Sequence, residues 1–446
     1  MPRQNTLFIV TFLLYSVLTS CATLGEVEQR EIEHGIYHLY VPDSYTSESD
    51  IVVVVHGTVD AVDAVELANT FINRWTDFAD STGAIIVSPA FDRDNFASNN
   101  ASFGAGGYRG LFGREIDADE FLHNILAEVN LLAPVSERRF FLYGHSAGGQ
   151  FANRYVVRHP ERVQGVILSA PGRYAFPEEE VTWANGMGRL TRSISWPGDV
   201  EQNVDIEPDP EGWLQAAVLP ISIVIGDEDT SPQPCRAAHC SEPLRISTDS
   251  TTRLAIAKKW QGDMNALAAS EGQFGRVHME IVEGIGHSSA ALTPASREVL
   301  INMMEDRVVV PGVVGIHASR AIRVLESASL QGQIGQEMLS ERPPGTVISQ
   351  TPQAGSWADR NSRIILYTSI GVSPPPDRTS VPDVVGLQSE VARRAINAAG
   401  FTPRLVFVDS EVRFDIVIDQ LPGAGEHLSP GAEVRIFISS GPDDIP

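Results

Sequence analysis

The chain has 446 residues, 43% of them hydrophobic, and a formal net charge of −24. That length leaves room for two or three domains and one large core, and that hydrophobic share is ordinary for globular protein. The excess of 57 Asp and Glu over 33 Lys and Arg, with no basic stripe to offset it, argues against a nucleic-acid partner and against electrostatic attraction to anionic lipid.

Residues 1–20 read as an export signal, set apart from the fold. Arg3 supplies a short positive start, and residues 7–18 form an apolar core too short for a comfortable membrane span. The ending Leu18-Thr19-Ser20-Cys21 resembles a bacterial lipobox. That resemblance implies lipidation of Cys21, a short linker over 21–32, and, with Ala22 rather than Asp next, sorting to an outer membrane where one exists. An ordinary signal peptide with a coincidental cysteine is the other reading.

Residues 33–306 alternate strand and helix patterns, as an α/β domain does. A leading strand is predicted over 36–41. The β-branched run Ile51-Val52-Val53-Val54-Val55 reads as a strand buried on both faces and ends in His56-Gly57-Thr58. A helix is predicted over 67–80, with Leu67, Phe71, Trp75 and Phe78 on one side, then a strand over 84–87. The Gly-rich loop 103–113 lacks G-x-G-x-x-G between strand and helix, so no nucleotide site is read there. A helix over 117–132 follows, with acidic residues suited to its first turn.

The apolar run Phe140-Phe141-Leu142-Tyr143 then enters Gly144-His145-Ser146-Ala147-Gly148, and a helical pattern leaves it. This is G-x-S-x-G in strand-turn-helix context, a nucleophile elbow that presents Ser146 at a helix N-terminus. In such sites one oxyanion donor is the amide after the nucleophile, here Ala147, and the other comes from the early loop, here Thr58 or Val59. A strand over 163–169 is followed by a long irregular insertion, 171–215, expected to cap the site. Its Trp183, Met187, Trp196 and Trp213 either line a pocket or pack the insertion itself. A buried strand over 220–225 runs into Gly226-Asp227-Glu228-Asp229, where an acid at the strand's end suits a triad. Of three cysteines, Cys235 and Cys240 remain after Cys21. An exported compartment favours a disulfide between them over a zinc site, since only His239 stands near and no second ligand pair follows. Helices are predicted over 254–268 and 294–304. Between them a strand over 277–282 ends in a Gly-rich loop carrying His287. Serine, acid and histidine thus come in the chain order of α/β-hydrolases.

Residues 33–305 resemble the α/β-hydrolase family, closest to its secreted depolymerase-like and feruloyl-esterase-like branch. The resemblance rests on the G-x-S-A-G-G elbow and a G-x-x-D acid loop. It implies a mostly parallel sheet with helices on both faces and a cap insertion. It also implies Ser146 as nucleophile, His287 as general base and then acid, and Asp229 as the orienting carboxylate, with Asp227 the alternative. Thr58-Val59-Asp60 departs from the glycine run that polymer-cleaving members carry after the oxyanion His-Gly, which counts against polymer hydrolysis.

The last third is a repeat with a period of about 70 residues. Segments 310–315 and 381–386 share V-P-x-V-V-G, Gln350 to Gly355 and Gln420 to Gly425 share Q-x-P-x-A-G, and Ser369-Ile370-Gly371 matches Ser439-Ser440-Gly441. Two small α+β modules are expected, 308–371 and 380–441, each with one helix (318–329 and 389–399), separated by an extended Pro-rich linker over 372–379. These units resemble PASTA domains, which implies an extracytoplasmic module that binds peptidoglycan or acts as a spacer. The expected protein is a lipid-anchored cell-envelope serine hydrolase of carboxylic esters that needs no cofactor or metal. An amidase or peptidase on the same residues, or a catalytically silent envelope-binding protein, are the alternatives.

Overall fold

The computed structural model describes residues 22–58, 63–98, 106–230, 252–371 and 378–441. Cys21, Val59, Cys235 and Cys240, with most of the Pro-rich linker, lie outside the described residues. The chain divides into two compact units, Met1–Asp306 and Arg307–Pro446.

The first unit is built on an eight-stranded sheet of order β1-β2-β4-β3-β5-β6-β9-β10. Its strands are β1 (Val27–Ile32), β2 (Gly35–Tyr40), β3 (Ile51–Val55), β4 (Ile85–Pro89), β5 (Phe140–His145), β6 (Val163–Ser169), β9 (Ile221–Gly226) and β10 (Val277–Val282). Only β1 with β2 and β2 with β4 pair antiparallel; the other neighbours run parallel. Strands β3, β4, β5 and β9 are buried along their whole length, as unbroken apolar runs in a sheet covered on both faces should be. Helices α1 (Ala64–Asn73), α2 (Thr76–Thr82) and α8 (Ser289–Met304) cover one face, where Tyr143 of β5 meets Trp75 at 4.9 Å and Arg297 of α8 lies over the same indole. On the other face α4 (Ala118–Leu132) and α5 (Ala147–Arg158) meet through His123 and Tyr155, and Phe140 of β5 packs on Tyr155. The short α3 is Arg93–Phe96, α6 is Pro210–Ala217 and α7 is Arg253–Ser270.

Four details change the sequence expectation or decide between its alternatives. The stretch read as a linker contains β1, whose alternating exposed and half-buried residues suit the sheet's outer edge. The helix expected over 67–80 is two helices, broken at Arg74 and Trp75, and the break turns the Trp75 ring fully into the core. Helix α8 begins five residues before Pro294, because Ser288 caps it by accepting from the Ala291 N–H. The insertion forms an antiparallel hairpin, β7 (Leu190–Trp196) with β8 (Val200–Ile206), and Trp183, Met187, Trp196 and Trp213 are all buried in packing. The Trp183 indole donates to Gly110 O and ties the insertion to the turn that precedes α4, while that of Trp196 donates to Gln202 Oε1 across the hairpin.

The second unit contains two copies of one small α+β design. In the first, α9 (Ala318–Ser327) packs on a sheet of order β12-β15-β13, formed by Gln331–Met338, Arg363–Ser369 and Val347–Thr351. In the second, α10 (Ser389–Ala398) precedes β17 (Thr402–Val408), β18 (Val417–Leu421) and β20 (Glu433–Ser439), in the order β17-β20-β18. Short two-residue pairs, β11 with β14 and β16 with β19, close each module at Val308–Val309 with Trp357–Ala358 and Thr379–Ser380 with His427–Leu428. The repeated motifs each make a bond. Buried Gln350 accepts from Val313 N–H at 2.8 Å and donates to Pro311 O at 2.9 Å. Gln420 repeats this with Val384 N–H at 2.7 Å and Pro382 O at 3.0 Å. The glutamine of Q-x-P-x-A-G therefore fastens the V-P-x-V-V-G segment over a core that in the second module includes Val384, Ile396, Phe401 and Ile436. Replacing Gln420 by Ala leaves a buried N–H and C=O without these partners, and such losses cost ~1–3 kcal/mol. Gln420→Ala in the fragment 307–446 should lower the urea midpoint accordingly, while substitution of the exposed Glu411 should not.

Candidate active site

The residues singled out by sequence gather at one edge of the first unit, because each follows the carboxyl end of a parallel strand: His56 to Thr58 after β3, Ser146 after β5, Asp229 after β9 and His287 after β10. This is the edge at which open α/β sheets place their ligands. Ser146 sits at φ 55° and ψ −109°, a conformation that side-chain-bearing residues rarely adopt. Two glycines make the turn possible. A Cβ on Gly144 would stand 2.1 Å from Gly148 O, and one on Gly148 would stand 2.3 Å from Val55 O. The Ser146 N–H is held by Ser169 O at 2.8 Å, and Ser146 O accepts the first bond of α5 from Gln150 N–H at 3.0 Å.

Three side chains form a chain of hydrogen bonds. His287 Nε2 lies 3.0 Å from Ser146 Oγ, and His287 Nδ1 lies 2.8 Å from Asp229 Oδ2. Asp229 is 1% exposed. Its burial pushes the carboxyl pKa up, but the bonds from His287 and Arg253 outweigh that and hold it below the usual carboxylate value. A carboxylate only accepts, so Nδ1 carries the proton, and Nε2 offers its lone pair to the Ser146 hydroxyl. An imidazole held in that tautomer can take the hydroxyl's proton as the oxygen attacks an electrophile. Asp227 does something different: its Oδ1 accepts the Gly284 N–H at 2.8 Å and braces the turn that leads to His287. The structure thus brings Ser146, His287 and Asp229 together and sets Asp227 on the backbone. The Ala147 N–H, in the first turn of α5, and the Thr58 N–H both donate to no group among the described residues.

Two family profiles match the chain. The profile described as serine aminopeptidase, S33 matches residues 102–204, and the PASTA domain profile matches 308–370 and 379–440. The chain joins an α/β-hydrolase fold to two PASTA domains. It is 34% identical over 136 residues to a probable serine/threonine-protein kinase of Corynebacterium efficiens, 30% of this chain and 20% of the kinase. The chain therefore spans about a fifth of the length of the curated relatives it matches. Among solved structures it is similar to poly(aspartic acid) hydrolase-1 from Sphingomonas sp. KT-1, with 18% identity and a TM-score of 0.48 over 62% of this chain and 98% of that one. It is also similar to a poly(3-hydroxybutyrate) depolymerase from Bordetella parapertussis, with 21% identity and a TM-score of 0.47 over 68% and 95%.

Arg253 is absent from the sequence reading, and His145 and His56 enter it only as members of their motifs. Arg253, at the start of α7, donates from Nη1 to Asp229 Oδ1 at 2.7 Å, so the buried acid is held from both sides. Twenty-three residues separate the two in sequence, and no motif marks the arginine. His145, the variable residue of the elbow, is buried with its ring 4.9 Å from that of His287, and its Nδ1 lies 2.9 Å from Ser169 Oγ. Burial first, and then the nearby His287, press its pKa down to about 3. His56 is fully buried, and burial lowers its pKa to about 4. Among the described residues no helix is long and apolar enough to cross a membrane, and no acidic, cysteine or histidine cluster could hold a metal ion.

These two histidines bear on stability. An unfolded histidine titrates near ~6.5. His56 and His145 therefore stay neutral in the fold where the unfolded chain would take up protons, so the stability they contribute is complete above that value and falls as pH drops towards their folded values. Each should tilt the unfolding free energy by up to ~1.4 kcal/mol per pH unit in that window. Urea midpoints measured at pH 7, 6 and 5 should fall progressively, and His145→Gln, if it folds, should flatten the slope.

Proposed function

We propose that the chain is a serine hydrolase of carboxylic esters. The observation that carries this reading is the unbroken line of hydrogen bonds Ser146–His287–Asp229 around a serine held at a strained elbow. In this reading Ser146 Oγ attacks the ester carbonyl as His287 Nε2 takes its proton, and a tetrahedral oxyanion forms within reach of the Ala147 and Thr58 amides. His287 then protonates the leaving alcohol. Asp229 fixes the tautomer and stabilises the imidazolium, aided by Arg253, which keeps the carboxylate charged. Water, activated by the same histidine, releases the acyl group. The match to the serine aminopeptidase profile favours a second reading, amide or peptide cleavage by the same residues. Parallel assays with p-nitrophenyl esters and aminoacyl p-nitroanilides decide between the two.

Removing a triad nucleophile typically costs ~10⁶ in kcat. Ser146→Ala should therefore abolish turnover and labelling by a fluorophosphonate while the fold survives. Asp229→Asn should cost ~10⁴ through the wrong imidazole tautomer, and Asp227→Asn far less. A reversal of those two effects would make Asp227 the triad acid.

We further propose that export and a lipid on Cys21 hold the enzyme at the cell envelope, with the PASTA domains either binding peptidoglycan or acting as a spacer. Truncation after Asp306 should leave soluble-ester turnover within about twofold, since Ser146, Asp229 and His287 all precede that point. Loss of co-sedimentation with purified peptidoglycan on truncation would support wall binding; equal sedimentation leaves the spacer role.

A further inference from the structure

We propose that the turn Gly107–Gly110 anchors the oxyanion loop, with Tyr108 as a positioning residue for the Thr58 amide. The inference rests on the hydrolase reading above. The Gly-rich loop that carries this turn has no nucleotide motif, and its contacts point elsewhere. Tyr108 OH donates to Gly57 O at 2.8 Å. The same carbonyl lies 2.8 Å from His56 Nδ1. The tautomer of His56 follows from its other nitrogen: Nε2 accepts from the Phe91 backbone N–H at 3.1 Å, so the ring's proton is on Nδ1 and also points at Gly57 O. Burial keeps this imidazole neutral, which preserves that arrangement through the ordinary working range.

Two donors on one carbonyl fix a peptide plane. In a trans peptide the C=O and the following N–H point in opposite directions. Holding Gly57 O against Tyr108 and His56 therefore turns the Thr58 N–H to the other side, where no described residue accepts it. Gly57 borders the nucleophile, since a Cβ added there would lie 3.7 Å from Ser146 Cβ and from His145 O. Glycine has the most backbone freedom of any residue, so a loop of this kind needs an external constraint if its amide is to be aimed before the reaction. The anchor is itself rigid: the Tyr108 ring is buried and stacks on Phe91 at 4.9 Å and 13°. The next residue reinforces it, with Arg109 Nη2 donating to Thr58 Oγ1 at 3.2 Å. The short helical turn thus holds the oxyanion loop twice, once by its backbone and once by the side chain next to the aimed amide.

The test is Tyr108→Phe, which keeps the stacked ring and removes the hydroxyl. Losing an oxyanion donor outright costs ~10²–10³ in kcat, so loosening its aim should cost on the order of tenfold. The expected pattern is that fall in kcat with KM within about twofold. The inhibition constant of a phenylboronic acid, whose adduct is tetrahedral, should rise by a similar factor, while that of a planar product acid stays put. A merely structural role would not separate these two inhibitors. Unchanged kcat and boronate affinity in a folded Tyr108→Phe protein would overturn the proposal. Wild-type protein that neither turns over esters nor labels with a fluorophosphonate would bring down the hydrolase reading itself, and this outcome is seen without the variant.

Discussion

The backbone of Ser146, at φ 55° and ψ −109°, is the constraint on which the first unit depends. Strain of this kind costs about 1–3 kcal/mol and persists only where the surroundings over-determine it. Here they do. Strands β3, β5 and β6 run parallel at the centre of the sheet, so the carbonyls that end β3 press directly on Gly148 and the end of β6 takes the Ser146 N–H. The elbow is thus a product of sheet register as much as of its own five residues. A shift of β3 against β5 would displace both the steric wall and the loop that leaves it.

The charge around the serine is arranged differently from the charge on the molecule. A chain with a formal net charge of −24 would by itself press every carboxyl towards protonation. At Asp229 the local partners reverse this, since a buried carboxylate between His287 and Arg253 gains more from two charge-assisted bonds than it loses by leaving water. The neighbouring histidines follow the opposite logic. His56 and His145 are buried without a carboxylate partner, so each is kept neutral and serves as a fixed packing and hydrogen-bonding group. Three buried or half-buried histidines lie close together, and their partners differ: His287 joins Asp229 to Ser146, while His56 and His145 meet backbone groups and a serine hydroxyl.

The PASTA domains show a simpler economy. Each is too small for a large core, and each fastens its entry segment with one buried glutamine that meets both a backbone N–H and a backbone C=O. The paired serines do the same at the exit: Ser369 Oγ donates to Arg342 O and accepts from Gly371 N–H, and Ser439 Oγ makes the matching bonds to Val412 O and Gly441 N–H. A repeat is conspicuous in sequence because these bonds demand the same side chains at the same spacing in both copies.

Features set by local pattern were legible in the residues alone. The buried strands, the elbow, the order of serine, acid and histidine, and the repeated modules all follow from periodicity or from motifs whose chemistry is contained within a few residues. The rest required long-range contact. The edge strand β1 looks like a linker because its alternation is polar and short, and only pairing with β2 reveals it. The choice of Asp229 rather than Asp227 beside His287 depends on which side chain the turn after β9 directs at a loop 58 residues away. Arg253 and Tyr108 carry no motif, since a guanidinium or a phenol acquires its role from the carboxylate or carbonyl that the fold brings to it. Sequence by itself determined the buried strands, the elbow and the repeated modules. Tertiary structure alone decided which side chains meet Ser146 and which groups hold them there, because hydrogen bonds between distant segments depend on register and packing that no local pattern encodes.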